Sequence, residues 1–257
     1  MKYLKQIQKY RFLMSELVKK GIRLKYRRSY LGIIWSLIEP LLTTIVLVVV
    51  FGTLFGVKDP TYPLYIISGR LIYTYFANST KGACRSIRAN SGMIKKVYVP
   101  KYMYPISLIL HNFVIFLISL IVLVIMMVYC RVMPTWQIIK AIPALVILLV
   151  MCTGIGMILA TLNVFFRDIE YLWNVACLLI MYMSAIFYYP ERLMKSGYAW
   201  ILKFNPLYCI IECFRNAVYS EPWHPHHVMY AAAAACVCLF VGLAFFRKNQ
   251  DKFILHI

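Results

Sequence analysis

Between Leu24 and Phe55 the chain passes without interruption from a cationic segment, Leu24-Lys25-Tyr26-Arg27-Arg28-Ser29-Tyr30-Leu31-Gly32, into an apolar run from Ile33 to Phe55. About 20 consecutive apolar residues are what a helix needs to cross the hydrocarbon of a bilayer, and Lys and Arg gather on the cytoplasmic side of such helices. The join therefore sets a direction. Its basic end belongs in the cytoplasm, and every later segment inherits its sidedness from it. Glu39-Pro40 falls in the first turns of the run, where proline is tolerated because few backbone N–H groups there have helical partners.

With 62% hydrophobic residues, 14% charged residues and a mean hydropathy of +0.73, the chain lies well outside soluble domains, for which about 45–50% apolar is usual. The formal charge of +19, from 28 Lys and Arg against 9 Asp and Glu, suits nucleic acid, an anionic membrane face or an acidic substrate. Position separates these partners. Ten basic residues lie in the first thirty positions, six between Lys81 and Lys101, then Arg167, and three follow Phe246. Seven fall in the alternate segments, and Arg70 stands within a span, close enough to its end to reach back to the interface. That asymmetry is the one a cytoplasmic face produces, and no nucleic acid is expected as a partner. The eight cysteines lie mostly in or beside apolar runs and read as small hydrophobes.

Along the chain, apolar residues at Leu4, Ile7, Tyr10, Met14, Leu17, Gly21 and Leu24 recur every three or four positions among Lys and Arg. They predict an amphipathic interface helix over residues 1–31, ahead of a transmembrane domain over 32–257. This helix reads as a membrane anchor or as a docking surface for a soluble partner. Spans are predicted at about 33–55, 64–80, 106–129, 143–163, 171–189 and 229–246. Gly52 and Gly56 form a small-xxx-small pattern or punctuate the end of a span, and Gly154 and Gly156 point to close helix packing. The cytoplasmic connection 81–105 contains a helix stop at Asn90-Ser91-Gly92 and a short piece, Met93 to Pro100, that must pack on something to persist. Arg167-Asp168-Ile169-Glu170 predicts a tight turn whose charges pair locally and cap the fifth span. Residues 190–226 predict a re-entrant outer segment of two short apolar helices broken at Asn205-Pro206. The fold class is all-α integral membrane, with six transmembrane helices in the cytoplasmic (inner) membrane and both termini cytoplasmic.

No Gly-x-x-x-x-Gly-Lys-Ser/Thr loop is present to cradle the phosphates of ATP, and no paired carboxylates or Ser-His-Asp set stands out. His224-Pro225-His226-His227 lacks the further ligands of a metal site. Neither a catalytic nor a metal site is expected. Aromatic residues make up 16%. Tyr188 and Tyr189 read as an interfacial belt, whereas Tyr73 and Phe76, three apart on one helical face, read as the lining of a path, with Tyr182 and Phe187 further along. Aromatic faces pack against the C–H faces of sugars, which suits a long polar chain that must slide.

Five collinear motifs carry a resemblance that spans nearly the whole chain. They are Tyr26 to Gly32 with Trp35 and Pro40, Asn90 to Pro100 with Lys101 and Pro105, Phe165-Phe166-Arg167-Asp168-Ile169, Tyr189-Pro190-Glu191, and Asn205-Pro206-Leu207 before Phe214-Arg215. In order and spacing they resemble the ABC-2 type permeases that export O-antigen, teichoic acid and capsular polysaccharides. Ser184-Ala185-Ile186 departs from the proline usual in that family, and Arg70 from an apolar residue. The resemblance implies a half-transporter that pairs with a second copy of itself and with two copies of a separate ATP-binding subunit, which would bind ATP and Mg and leave no cofactor on this chain. By the same likeness, Tyr26, Arg27, Arg28, Asn90, Met93, Lys95, Lys96, Tyr98, Arg167 and Asp168 would couple to the ATPase and gate the inner entrance. Tyr73, Phe76, Tyr182 and Phe187 would line the way for a polyprenyl-diphosphate-linked glycan, and Tyr189, Asn205, Pro206 and Arg215 would form the outer gate. Arg27, Arg28, Arg85 and Arg88 suit either the lipid diphosphate or the headgroups of membrane lipids. Three alternatives stand beside this: an ABC-2 exporter of a small lipid or drug, a membrane enzyme acting on lipid-linked sugars, and a scaffold without transport.

Overall fold

A computed structural model describes residues 10–256 apart from Arg28, Val97, Tyr98, Pro134, Ser196 and the side chain of Arg192. Among the described residues there are helices and no strands. Helix α1 (Arg11–Tyr26) is followed by a 3-10 turn (Gly32–Ile34), α2 (Trp35–Phe55), α3 (Tyr62–Ala89), the short α4 (Ser91–Ile94), α5 (Met103–Tyr129) and α6 (Ala141–Phe165). Then come α7 (Ile169–Tyr182), α8 (Pro190–Met194), α9 (Ala199–Lys203), α10 (Pro206–Val218), α11 (Pro225–Asn249) and α12 (Phe253–His256). Four stretches are long and apolar enough to cross a membrane: Gly32–Phe55, Met103–Tyr129, Trp136–Phe165 and Pro225–His256.

The two remaining expected spans differ for separate reasons. At 28 residues α3 is long enough, but it carries Arg70, Lys81, Arg85 and Arg88. It tolerates them because it is the axis of the bundle, in contact with α2, α5, α6, α7 and α10. Nineteen of its residues are buried by protein, so lipid does not set its composition. Helix α7 is apolar but stops at Tyr182, after 14 residues. The predicted helix to Tyr189 is corrected here: residues 183–189 are non-helical, with Ala185 at φ +46°. Unwinding is affordable because side chains elsewhere bond the carbonyls of Ala185, Ile186, Phe187 and Tyr188.

Pro40 lies inside α2, one turn beyond the position expected to excuse it. Having no N–H, it leaves the Ser36 carbonyl without a helical donor. The Ser119 hydroxyl of α5 supplies that donor at 3.1 Å, so the proline fixes a contact between helices. Gly56 resolves the other ambiguity of α2. It ends the helix in the left-handed region (φ +60°), its N–H on the carbonyls of Gly52 and Thr53, with no other group near enough to require its lack of a side chain. The segment 190–226 contains three helices, α8, α9 and α10, where two were predicted. Helix α10 is buried over eleven of its 13 residues, against α11, α6 and α3.

Candidate functional site

Candidate residues collect at the two ends of α3 and along one stripe between them. At its C-terminal, basic end, Asn90 stops α3 by donating from Nδ2 to the Ser86 carbonyl at 2.8 Å. Its own carbonyl starts α4 by accepting the N–H groups of Met93 and Ile94, both at 3.0 Å. Ile94 anchors the piece in a cluster with Ile87, Tyr104, Met157, Phe246 and Phe253. Met93, Lys95 and Lys96 are left exposed together. Tyr98 and Arg28 lie outside the described residues. Arg27 is exposed and Tyr26 half-buried; burial raises the Tyr26 pKa, and Glu39 pushes the same way against a lowering bond with Ser36.

The turn at Arg167-Asp168 is exposed. Its charges pair otherwise than predicted. Asp168 makes no capping bond, and Glu170 reaches Arg85 of α3 at 2.8 Å, because α7 packs directly on α3. Arg88 extends to Asn163 Oδ1 at 3.5 Å. With Arg167 and His256 these residues line an open cup.

At the opposite, aromatic end the unwound segment 183–189 is held from three sides. Tyr62 donates to the Phe187 carbonyl at 2.6 Å, and Tyr65 donates to those of Ala185 and Tyr188 at 2.8 and 2.9 Å. Arg215, 3% exposed, reaches the carbonyls of Ala185 and Tyr65, both at 3.0 Å, and more distantly the Ser68 hydroxyl and the Ile186 carbonyl. Its guanidinium lies 3.5 Å from the Tyr65 ring centroid. Asn205 caps α10 by accepting the N–H groups of Leu207 and Tyr208, and its amide donates to the Met183 carbonyl and the Ser184 hydroxyl. Pro206 occupies the first helical position, where no N–H is needed. Tyr189 donates to Asp59 at 2.8 Å. The four residues expected at an outer gate, Tyr189, Asn205, Pro206 and Arg215, are thus assembled around one piece of irregular backbone.

Asp59 gives this end a pH dependence. Burial would raise its carboxyl pKa, but bonds from the Thr61 N–H, the Tyr189 hydroxyl and the Thr61 hydroxyl outweigh burial and hold it below the usual value. A depressed folded-state pKa contributes stability above the unfolded value of about 3.9, and that contribution disappears as pH falls below it. Tyr189→Phe is expected to shrink this acid sensitivity. Thermal unfolding in detergent from pH 6 to 3 measures it, and an unchanged difference between the two ends of that range would count against the Tyr189–Asp59 bond.

The residues predicted to line a path do not share a surface. Tyr73 is 9% exposed and donates to the Cys177 carbonyl at 3.0 Å, and Phe76 is buried beside Trp173. Phe187 is buried with its ring stacked on Phe51 at 4.9 Å; Tyr182, 52% exposed, meets it with ring centroids 6.1 Å apart, but neither is on the surface of Tyr73 and Phe76. The aromatic periodicity at Tyr73 and Phe76 is a core signal, because their face of α3 packs on α7.

A different set of α3 residues is open. From Arg70 to Arg88 every residue of α3 that is not buried is polar, basic or glycine: Arg70, Thr74, Asn78, Lys81, Gly82, Arg85 and Arg88. Spacings of three and four put them on one stripe. At 1.5 Å per residue it is about 27 Å long, close to the ~30 Å of a bilayer core. The part from Arg70 to Asn78 forms a wall of a cleft between α2, α3 and α5, also lined by Glu39, Thr43, Thr44, Asn112 and Ser119. The exposed faces of the flanking helices are largely apolar, with Leu42, Ile45, Val46 and Val49 on α2 and Leu117, Ile121, Val124 and Val128 on α5. In sequence the stripe is a polar repeat of three and four residues running beside the aromatic one at Tyr73 and Phe76.

The profile of the family described as ABC-2 type transporter matches residues 13–219. The chain is 27% identical over 242 residues to the O-antigen export system permease protein RfbA of Klebsiella pneumoniae, covering 94% of this chain and 93% of the other. It is 26% identical over 253 residues to RfbA of Myxococcus xanthus, covering 97% and 96%. With the polysialic acid transport protein KpsM of Escherichia coli it shares 22% identity over 263 residues, covering 94% and 95%.

Proposed function

The chain belongs to the ABC-2 type transporter family, and from that premise we propose that it is the membrane permease of an ATP-driven exporter of cell-surface polysaccharide. The open face of α3 carries the reading. Hydrocarbon leaves polar groups unsatisfied, whereas a hydrated sugar chain exchanges hydrogen bonds with Thr74, Asn78 and their neighbours as it moves. Relatives named for O-antigen export and polysialic acid transport, matched over nearly their full length, support the same substrate class.

In this reading α2, α3, α5, α6, α7 with residues 183–189, and α11 make six passes through the cytoplasmic membrane, with both termini cytoplasmic. Support comes from Lys101, whose ammonium donates to the Gln250 carbonyl at 2.5 Å and so ties the C-terminal segment to the end that carries Lys95 and Arg167. A second copy closes over the polar stripe, completing a path that one chain leaves open. Two ATP-binding subunits dock on the basic end, where Met93, Lys95 and Lys96 project. The cup at Arg85, Arg88 and Arg167 receives the diphosphate of the lipid-linked glycan, and the assembly around Arg215 and Tyr189 controls the exit.

Co-expression with the ATP-binding subunit tests this. The two should purify together, and ATP hydrolysis should be faster with this chain than without it. Lys95→Glu with Lys96→Glu should reduce that stimulation several-fold while membrane insertion stays intact, since reversed charges oppose docking. A chain that purifies alone and leaves the ATPase rate unchanged would remove the assignment.

A further inference from the structure

The open face of α3 is not only polar but of one sign. Arg70, Lys81, Arg85 and Arg88 stand on it, and α3 contains no Asp or Glu. Glu170 neutralises Arg85 at the basic end. Arg70, deeper along the stripe, makes no ion pair within 4.0 Å among the described residues; its Nε donates to the Thr43 hydroxyl at 3.3 Å, and Glu39, on the same cleft, attracts it only from beyond that distance. A guanidinium at this depth is expensive to keep; one that lines a polar cleft, with a single hydrogen bond and its nearest carboxylate beyond ion-pair distance, is left able to take a further anion. A neutral sugar chain requires no such charge, because the hydroxyls and amides of Thr43, Thr74, Asn78 and Asn112 already match its hydroxyls. The cations also recur along the stripe, at intervals of eleven, four and three residues, so an anion leaving one meets the next.

Resting on the exporter reading, we propose that the glycan is polyanionic, bearing carboxylate or phosphate groups along its length, and that the α3 stripe is the rail that selects it, with Arg70 as a specificity-determining residue. The order of side chains favours a glycan over a lipid phosphate. Thr74 and Asn78 continue the polar surface from Arg70 toward the middle of the bundle, where a headgroup does not travel.

The test uses the full chain purified with its ATP-binding subunit in phosphatidylcholine nanodiscs. Binding of labelled decagalacturonate and of neutral maltodecaose is measured by equilibrium dialysis. Decagalacturonate should bind at least about tenfold more tightly, the scale of one charge-assisted hydrogen bond, and the preference should weaken with salt. Arg70→Gln should remove roughly that factor for the acidic decamer alone, and Arg70→Lys should restore most of it. Asn78→Asp, at an exposed position, places a negative charge on the stripe and should weaken acidic binding several-fold more than neutral binding, which keeps the test sharp if Arg70→Gln folds poorly. Equal affinity for both decamers, or a preference that survives Arg70→Gln and Asn78→Asp, would overturn the proposal. So would phosphatidylglycerol, in place of decagalacturonate, being retained by the native chain and lost by Arg70→Gln. A complex that turns over ATP yet binds neither decamer refutes the rail and spares the exporter assignment; failure to form any ATPase complex removes both.

Discussion

Gly154→Ala is expected to destabilise the protein by about 3 kcal/mol or more, the upper range for inserting a methyl group into a packed interface. Helices α6 and α11 form the most extensive helix pair in the bundle, and they touch backbone to backbone. A Cβ on Gly154 would lie 2.3 Å from the carbonyl carbon of Cys238 and 2.4 Å from the Leu239 nitrogen; one on Gly242 would lie 2.3 Å from the Gly154 oxygen. Backbone atoms cannot rotate away as a side chain can, so the helices must separate along their length. Gly242→Ala should behave in the same way. Gly92→Ala, with nothing within 4 Å, should change stability by less than about 1 kcal/mol. Thermal unfolding in detergent compares the three variants. If Gly154→Ala melted with Gly92→Ala, the close approach would not exist.

Arg215→Met has the second largest expected effect, and its consequence is local. The substitution removes a charged donor from the carbonyls of Ala185, Tyr65 and Ile186 and from the Ser68 hydroxyl. Bonds to charged groups contribute about 1.5–3 kcal/mol each, so losing the two at 3.0 Å costs about 3 kcal/mol or more. Beyond the Met183 N–H, which still reaches the Leu179 carbonyl at 2.9 Å, segment 183–189 has no helical bonds to fall back on and should loosen first, so hydrogen exchange there should quicken ahead of global unfolding. Lysine should rescue only in part, because one ammonium cannot span the positions that a planar fork reaches. Gly69→Ala supplies an independent check, since its Cβ would sit 2.6 Å from Arg215 Nη2 and push the guanidinium off its partners. Unaltered exchange at 183–189 in Arg215→Met would mean that the arginine does not hold the segment.

Several features could be read directly from the chain, and the reason is the same for each. Motifs whose meaning is local survive without a fold: Asn205-Pro206 separates two helices, Asn90-Ser91-Gly92 is a stop, and runs such as Met103–Tyr129 are long and apolar whatever they touch. Gly154 could be assigned to packing because a glycine in an apolar helix has few other uses. The errors came where meaning depends on a distant partner. Tyr73 and Phe76 share a face with each other, but only the position of α7 shows that this face is buried. Glu170 lies beside Arg167 in sequence and pairs with Arg85 in space. Residues 183–189 are as apolar as a helix, and they unwind because Tyr62, Tyr65 and Arg215, up to about 125 residues away, offer their carbonyls better partners.

By itself, then, the amino-acid order determined the solvent: spans of apolar residues, and basic residues kept to one set of connections, follow from the energy of transferring each side chain into hydrocarbon, a property of residues taken one at a time. Which of the two repeats of α3, the polar or the aromatic, stays open was decided by tertiary packing. Burial is a relation between elements, so only once α2, α5, α6, α7 and α10 had covered the rest of that helix did Arg70, Thr74, Asn78, Lys81, Arg85 and Arg88 remain as a single polar stripe.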